Sequence, residues 1–127
     1  MTFDVALVYE EPERLHLNDW ALAGSWTIGR EEGRCNEPNG RIGYRFHARD
    51  LHLILTPPEG ASARFRVTLD GQPPGAVHGL DVDENGDGVV TEPRLHQLIR
   101  QSGKITDRLF EIAFLDPGAA TYSFTFG

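Results

Sequence analysis

The segment ARFRVTLDG, residues 63–71, decides the fold class because its side chains alternate between apolar and polar. The apolar set is Phe65, Val67 and Leu69, and the polar set is Arg64, Arg66 and Thr68. Successive side chains of a β-strand point to opposite faces of the sheet, so this period of two predicts a half-buried strand. Asp70 and Gly71 then begin a turn, since both residue types tolerate the backbone angles that turns need.

Five further segments repeat the alternation and extend the prediction along the chain. They are GSWTIG (24–29), RIGYRFHA (41–48), DLHLILT (50–56), LFEIAFLD (109–116) and TYSFTFG (121–127). In the last of these, the alternation places Tyr122, Phe124 and Phe126 on one apolar face. Frequent glycine and proline separate the runs, as in domains built from short strands and turns. Together these segments predict an all-β fold, a jelly-roll β-sandwich of about eight antiparallel strands.

Two segments leave more than one interpretation open. RLHQLIRQSG, residues 94–103, fits a helix with Leu95, Leu98 and Ile99 on one face, and it also fits a strand. The N-terminal arm, residues 1–19, contains the apolar piece VALVY and then a polar stretch that suits an extended chain or a short helix. The length of the chain predicts one β-sandwich domain over residues 1–127, with this arm at its start.

The segment DVDENGDGVVTE, residues 81–92, has the register of an EF-hand calcium loop. Its candidate metal ligands are Asp81, Asp83, Asn85, Asp87 and Glu92. The flanks argue against an EF-hand, because the residues before the loop include glycines and prolines that no helix would carry, and Pro93 follows it. Two interpretations remain: an acidic hairpin loop with Asn-Gly and Asp-Gly turns, or a calcium site of another kind. Calcium is therefore the one candidate cofactor.

Composition argues against several function classes. A net charge of −7 is unlike that of a general nucleic-acid or anionic-membrane surface, which needs clustered Lys and Arg. No apolar run is long enough to span a bilayer, so we expect no membrane insertion by this chain. The single cysteine, Cys35, has no partner for a disulfide or a Cys-based zinc site, and its polar, turn-rich neighbours predict an unreactive thiol. No nucleophile elbow, P-loop or dinucleotide fingerprint is present, so we predict no catalytic residue and rank a small hydrolase low.

Five segments carry a more specific pattern: WALAGSWTI, YRFHARDLHLIL, VTLDGQPPG, HGLDVDENGDGVVTEPRLHQLIR and FLDPGAATYSFTFG. Together they resemble the C-terminal domain of DipZ-type thioredoxin proteins over residues 9–127. The terminal FTFG and the spacing of Leu22, Gly24 and Trp26 are the most specific parts of the resemblance. His96 stands where the pattern leads us to expect an aromatic residue, usually tyrosine.

The resemblance implies an accessory role. In that family a thioredoxin-like domain with a redox-active CxxC precedes a jelly-roll β-sandwich that is similar to carbohydrate-binding modules. This chain has no CxxC, so the resemblance implies a non-catalytic domain whose partner is the thioredoxin-like domain of the same polypeptide. It also implies carbohydrate as a candidate ligand and suggests an extracytoplasmic location. The alternative is a docking domain that positions the thioredoxin domain and binds no sugar.

Four aromatic residues form the candidate sugar platform, because a flat apolar ring can stack on the C–H face of a pyranose. They are Trp20, Trp26, Tyr44 and Tyr122. The last three fall on the apolar face of an alternating strand, which favours a place in the core over a place in a platform. Trp20 lies in a looser segment.

Overall fold

The computed structural model describes residues 5–9, 20–28 and 32–126, with side chains for 21–27 and 32–126. Within these ranges the chain forms antiparallel strands and a single 3-10 turn at Gly75–Val77. The strands are β1 (Val5–Tyr9), β2 (Trp20–Ile28), β3 (Gly33–Cys35), β4 (Gly40–Phe46), β5 (Asp50–Thr56), β6 (Ala63–Leu69), β7 (Asp87–Val90), β8 (Arg94–Arg100), β9 (Arg108–Phe114) and β10 (Ala120–Phe126). The prediction of an all-β fold is confirmed. No helix in the described ranges has the length and apolar character needed to cross a membrane.

The described strands outnumber the eight or so expected because β3 and β7 form in segments that we expected to be loops. The segment that fitted either a helix or a strand is β8, which pairs with β5. The apolar piece of the N-terminal arm is β1, which pairs with β2. The rest of the arm, residues 1–4 and 10–19, lies outside the described part of the chain.

The strands form two layers that share β2. In sheet A the order is β1-β2-β3-β10-β5-β8, and in sheet B it is β2-β4-β9-β6-β7. The first residues of β2, from Trp20 to Ala23, pair with β4, and the later ones pair with β1 and β3. The single strand β2 therefore passes from one sheet into the other, so the two sheets are joined here without a separate loop.

The core lies between the two inner faces and is made of the side chains that the alternation placed inward. Phe65, Val67 and Leu69 of β6 are buried, and so are Phe110, Ile112 and Phe114 of β9. Rings from opposite sheets meet there: Trp26 of sheet A packs edge-on against Phe114 of sheet B, with ring centroids 5.9 Å apart. Burial of apolar area is the main driving force for such a core.

Candidate functional site

The four candidate platform aromatics lie in three separate places. Trp26 has 0% exposure, and its indole N–H donates a hydrogen bond of 2.9 Å to the carbonyl of Ala23. Because the polar end of the ring is satisfied inside the protein and the ring has no exposed face, Trp26 belongs to the core. It offers no surface on which a ligand could stack.

Trp20 and Tyr44 are register partners at one end of the sandwich, on β2 and β4. The side chain of Trp20 lies outside the described part of the chain. Tyr44 is half-buried and packs against two rings of β10, with centroids 4.9 Å from Phe124 and 5.5 Å from Phe126. These contacts join the two sheets, so Tyr44 stabilises this end of the core.

Tyr122 lies on the outer face of sheet A, and this corrects the expected orientation. Period two placed it on the same face as Phe124 and Phe126, but the pairing of β10 with β5 shifts register between Thr121 and Phe124. The shift sets two residues of β10 opposite Ile54 and reverses the alternation, so Thr121 is buried and Tyr122 is 40% exposed. Such β-bulges commonly re-aim a side chain near a functional site.

The exposed ring of Tyr122 is part of an apolar row that crosses three strands. Ile54 of β5 faces it across the bulge, and Leu95 of β8 is the direct register partner of Ile54. Ile54 is half-buried and Leu95 is exposed. Because neighbouring strands lie about 4.8 Å apart, the row is on the order of 10 Å long. We call these three residues the outer row.

A polar row runs beside the outer row on the same face. It consists of Thr125, His52 and Gln97, which are successive register partners on β10, β5 and β8. The hydroxyl of Thr125 lies 3.4 Å from Nδ1 of His52. Exposed apolar side chains next to hydrogen-bonding ones can contact the apolar face of a ligand and pair with its hydroxyl groups.

The acidic segment 81–92 folds into a tight turn held by its own backbone and by arginines. Oδ1 of Asp83 accepts hydrogen bonds of 2.9 Å from the amides of Asn85 and Asp87, and Gly86 has φ 89°. β7 begins at Asp87, and β6 and the 3-10 turn stand where an EF-hand would have its first helix. The segment therefore connects to the sheet as a hairpin-like loop.

The carboxylates proposed as metal ligands each have another partner. Asp81 accepts hydrogen bonds of 2.6 Å from Arg94 and from the amide of Gln97, and Glu92 lies 3.4 Å from Arg94. Asp87 accepts one of 2.7 Å from Arg66. Within the described ranges, no three side chains of His, Cys, Asp or Glu come together in a group that could hold a metal ion.

The pKa of Asp81 reflects its hydrogen bonds and its ion pair with Arg94. Partial burial raises the pKa of its carboxyl, but the hydrogen bonds from Arg94 and the amide of Gln97, together with the charge of Arg94, outweigh that effect and leave the pKa below its usual value. The ionised form is therefore the stable one, and it ties the acidic turn to β8.

Two buried side chains were not anticipated from the sequence. Cys35 lies in the core on β3 with 0% exposure, where burial raises the pKa of its thiol, and Sγ lies 3.0 Å from the carbonyl of Glu37. His96 is 1% exposed and packs edge-on against Phe65, with Nε2 buried and without a hydrogen-bond partner. The position of His96, where we expected an aromatic residue, was the signal that could have revealed its burial.

Structural similarity links this fold to a carbohydrate esterase. A family two carbohydrate esterase from Clostridium thermocellum, solved in complex with cellohexaose, matches with a TM-score of 0.53 and 12% sequence identity. An active-site mutant of the same class of esterase from that organism matches equally well. Each match covers 76% of this chain but only 27% of the esterase chain, so this domain spans about a quarter of the length of those proteins. At this identity the likeness shows a shared fold.

Sequence comparison gives the family. No curated protein matches this sequence. The family described as thioredoxin like C-terminal domain matches residues 2–127, which is nearly the whole chain. With its all-β sandwich and the sequence pattern that ends in FTFG, the chain belongs to the family of thioredoxin-like C-terminal domains.

Proposed function

We propose that this domain is a non-catalytic accessory module of a thioredoxin-like protein and that it binds carbohydrate on the outer face of sheet A. The observation that carries the proposal is the exposed ring of Tyr122, which the bulge in β10 turns away from the core. Ile54 and Leu95 extend the apolar surface, and the polar row beside them supplies hydrogen-bonding groups. The similar fold in an esterase that was solved with cellohexaose supports the same proposal.

The lack of a redox centre in this chain supports the non-catalytic part of the proposal. Its only cysteine is Cys35, so a CxxC is impossible within these residues. Thiol chemistry requires the thiolate, and burial raises the pKa of Cys35. Redox chemistry would then belong to the thioredoxin-like domain of the same polypeptide.

Affinity electrophoresis tests the carbohydrate proposal. Native gels containing hydroxyethylcellulose, xylan or mannan should retard the wild-type domain in at least one case. Tyr122→Ala should weaken that retardation at least about tenfold, which corresponds to about 1.4 kcal/mol. Ile105→Ala is the matched control, because Ile105 has a similar exposure but lies in the loop before β9. Unretarded wild-type protein in all three gels, or equal retardation of Tyr122→Ala, would refute the proposal.

The second candidate function is docking of the thioredoxin-like domain onto this one. The same outer row favours it, because an exposed apolar strip is also what a protein partner buries. Adding the separate thioredoxin-like domain to the isotope-labelled accessory domain discriminates the two functions by NMR. Shifts at Tyr122, Ile54 and Leu95 without retardation in any polysaccharide gel would establish docking, and the reverse pattern would establish carbohydrate binding.

A further inference from the structure

A cleft of about 400 Å³ opens beside β6 and β7, on the sheet that does not carry the outer row. The residues that line it include Arg64, Arg66, Asp83, Asp87, Val89 and Leu115. This volume lies within the range of about 300–1,000 Å³ typical of small-molecule sites. Val89 is exposed and Leu115 is half-buried, so the cleft combines an apolar wall with charged groups.

Arg64 is fixed on one side of the cleft by a bidentate ion pair. Its Nε and Nη2 donate hydrogen bonds of 2.9 Å to the two carboxylate oxygens of Asp116, whose Oδ2 also accepts one from the Arg64 amide. A fork of this kind sets the plane of the guanidinium. The side chain of Arg64 is nevertheless 64% exposed, so its remaining N–H groups stay available to a ligand.

Arg66 is fixed in a similar way on the neighbouring position of the same face. Its Nε donates a hydrogen bond of 2.7 Å to Oδ1 of Asp87, its direct register partner on β7. Two residues along a strand separate the backbones of Arg64 and Arg66 by about 6.8 Å. Asp83 borders the same cleft, and hydrogen bonds from the amides of Asn85 and Asp87 fix its carboxylate within the acidic turn.

The pairing of each arginine with a carboxylate selects the chemistry of the ligand. An anionic ligand would have to compete with Asp116 and Asp87 for the guanidinium edges and would also approach Asp83. A neutral polyol avoids this repulsion, because each hydroxyl can accept from an arginine N–H and donate to a carboxylate oxygen. The methyl groups of Val89 can contact the C–H face of the same sugar ring.

We propose that this arginine cleft is a second binding site, specific for a neutral sugar residue with adjacent hydroxyl groups. The fixed donors of Arg64 and Arg66 and the acceptors of Asp83 and Asp87 recognise the hydroxyls, and Val89 with Leu115 contacts the ring. The site does not depend on the outer row, because its residues lie on β6, on β7, in the acidic turn and just after β9, whereas the outer row lies on β10, β5 and β8. The domain would then bind glycans on both sheets.

An NMR titration of the isotope-labelled domain tests this proposal. The probes are methyl β-D-glucopyranoside, methyl β-D-galactopyranoside and methyl α-D-mannopyranoside at millimolar concentration, with glucuronate as the anionic comparison. We expect at least one neutral glycoside to shift the amides of 64–66 and 87–89, and we expect glucuronate to bind more weakly. The proposal is overturned if no glycoside shifts these amides, or if glucuronate binds more tightly than the neutral sugars.

Variants separate this site from the outer row. Arg64→Met and Arg66→Met should each lower the glycoside affinity obtained from the shifts at least about tenfold, because methionine keeps the apolar stem but loses the donors. Arg100→Met is the matched control, since Arg100 is similarly exposed but lies on β8. Tyr122→Ala should leave these shifts unchanged even if it abolishes polysaccharide retardation. A separate site is contradicted if both arginine variants show the same glycoside-induced shifts as the wild type, with unchanged thermal midpoints. It is also contradicted if Tyr122→Ala is the one variant that loses these shifts.

Discussion

Gly24 and Gly40 approach so closely at the corner of the sandwich that a Cβ on Gly24 would lie 2.9 Å from Cα of Gly40. Gly24 also has φ 97°, a conformation that residues with a Cβ rarely adopt. This is the point where β2 leaves its pairing with β4 and begins its pairing with β1. The connection between the two sheets therefore depends on a glycine at position 24.

Gly24→Ala should destabilise the domain by about 1–3 kcal/mol, the usual range for a strained backbone conformation, and the contact with Gly40 should place it at the upper end. Urea unfolding followed by tryptophan fluorescence measures this difference. Gly71→Ala is the matched control, because Gly71 also has positive φ but an added Cβ would meet nothing within 4 Å. An equal loss of stability in both variants would show that the close approach to Gly40 has no energetic effect.

Calcium should bind the acidic turn no more tightly than millimolar. A calcium ion needs about 6–8 oxygen ligands, whereas Asp81 and Asp87 are held by Arg94 and Arg66, and Asp83 accepts two amides of its own turn. Calorimetry with calcium, and the thermal midpoint with calcium or EDTA, measure this.

Two variants show whether any calcium binding occurs in the acidic turn. A saturable heat that disappears in Asp83→Asn but persists in Asp107→Asn would contradict the prediction and establish a calcium site in the turn. Asp107 is suitable as the control because it is exposed and lies outside the acidic segment.

Stability should fall as the pH drops below about 6.5 because of His96. Burial is the main cause of its lowered pKa, and the charge of Arg94 adds to it, against weaker opposing effects from the Arg94 carbonyl, Asp81 and Glu92. Between the ordinary value of 6.5 and the lowered pKa, the unfolded chain binds a proton on His96 that the folded protein does not bind. The unfolded state is therefore favoured increasingly across that window.

His96→Phe should flatten this acid-side loss, since phenylalanine does not titrate and suits the packing against Phe65. Urea unfolding at pH 7.5 and at pH 5 gives the comparison. His52→Gln serves as the control, because His52 lies on the outer face of sheet A and leaves His96 in place. If His96→Phe keeps the wild-type slope with pH, another group is responsible.

Cys35 should react with a thiol reagent only after the protein unfolds. The thiol is buried in β3 and its pKa is raised by burial, so both access and thiolate are limited in the native state. The absorbance of the thiolate released from an aromatic disulfide reagent, with and without denaturant, measures the rate at which Cys35 reacts. Ser102→Cys in a Cys35→Ser background gives the exposed comparison, because Ser102 lies in an exposed loop. Rapid reaction of the native wild type would contradict the burial of Cys35.

The sequence by itself determined the all-β fold class, most of the strands and most of the core. The alternation in β6 and β9 predicted the buried faces that contain Phe65 and Phe110, because side-chain direction along a strand follows from the backbone alone. The glycines and prolines before Asp81 likewise excluded an EF-hand, since local backbone preferences forbid the helix. The sequence pattern also indicated a thioredoxin-like C-terminal domain, and the family match over residues 2–127 confirms that domain type.

Only the tertiary structure decided which of these residues face the solvent at the candidate sites. Tyr122 points outward because β10 must pair with β5, a strand far away in the sequence, and the pairing contains a bulge. Cys35 is buried because a short segment joins sheet A between β2 and β10. The arginine cleft exists because Arg66 meets Asp87 across two paired strands. In each case the deciding interaction joins segments that are distant in the sequence. The alternation within one strand limits its register, but it does not say which strand is the partner or where a bulge occurs.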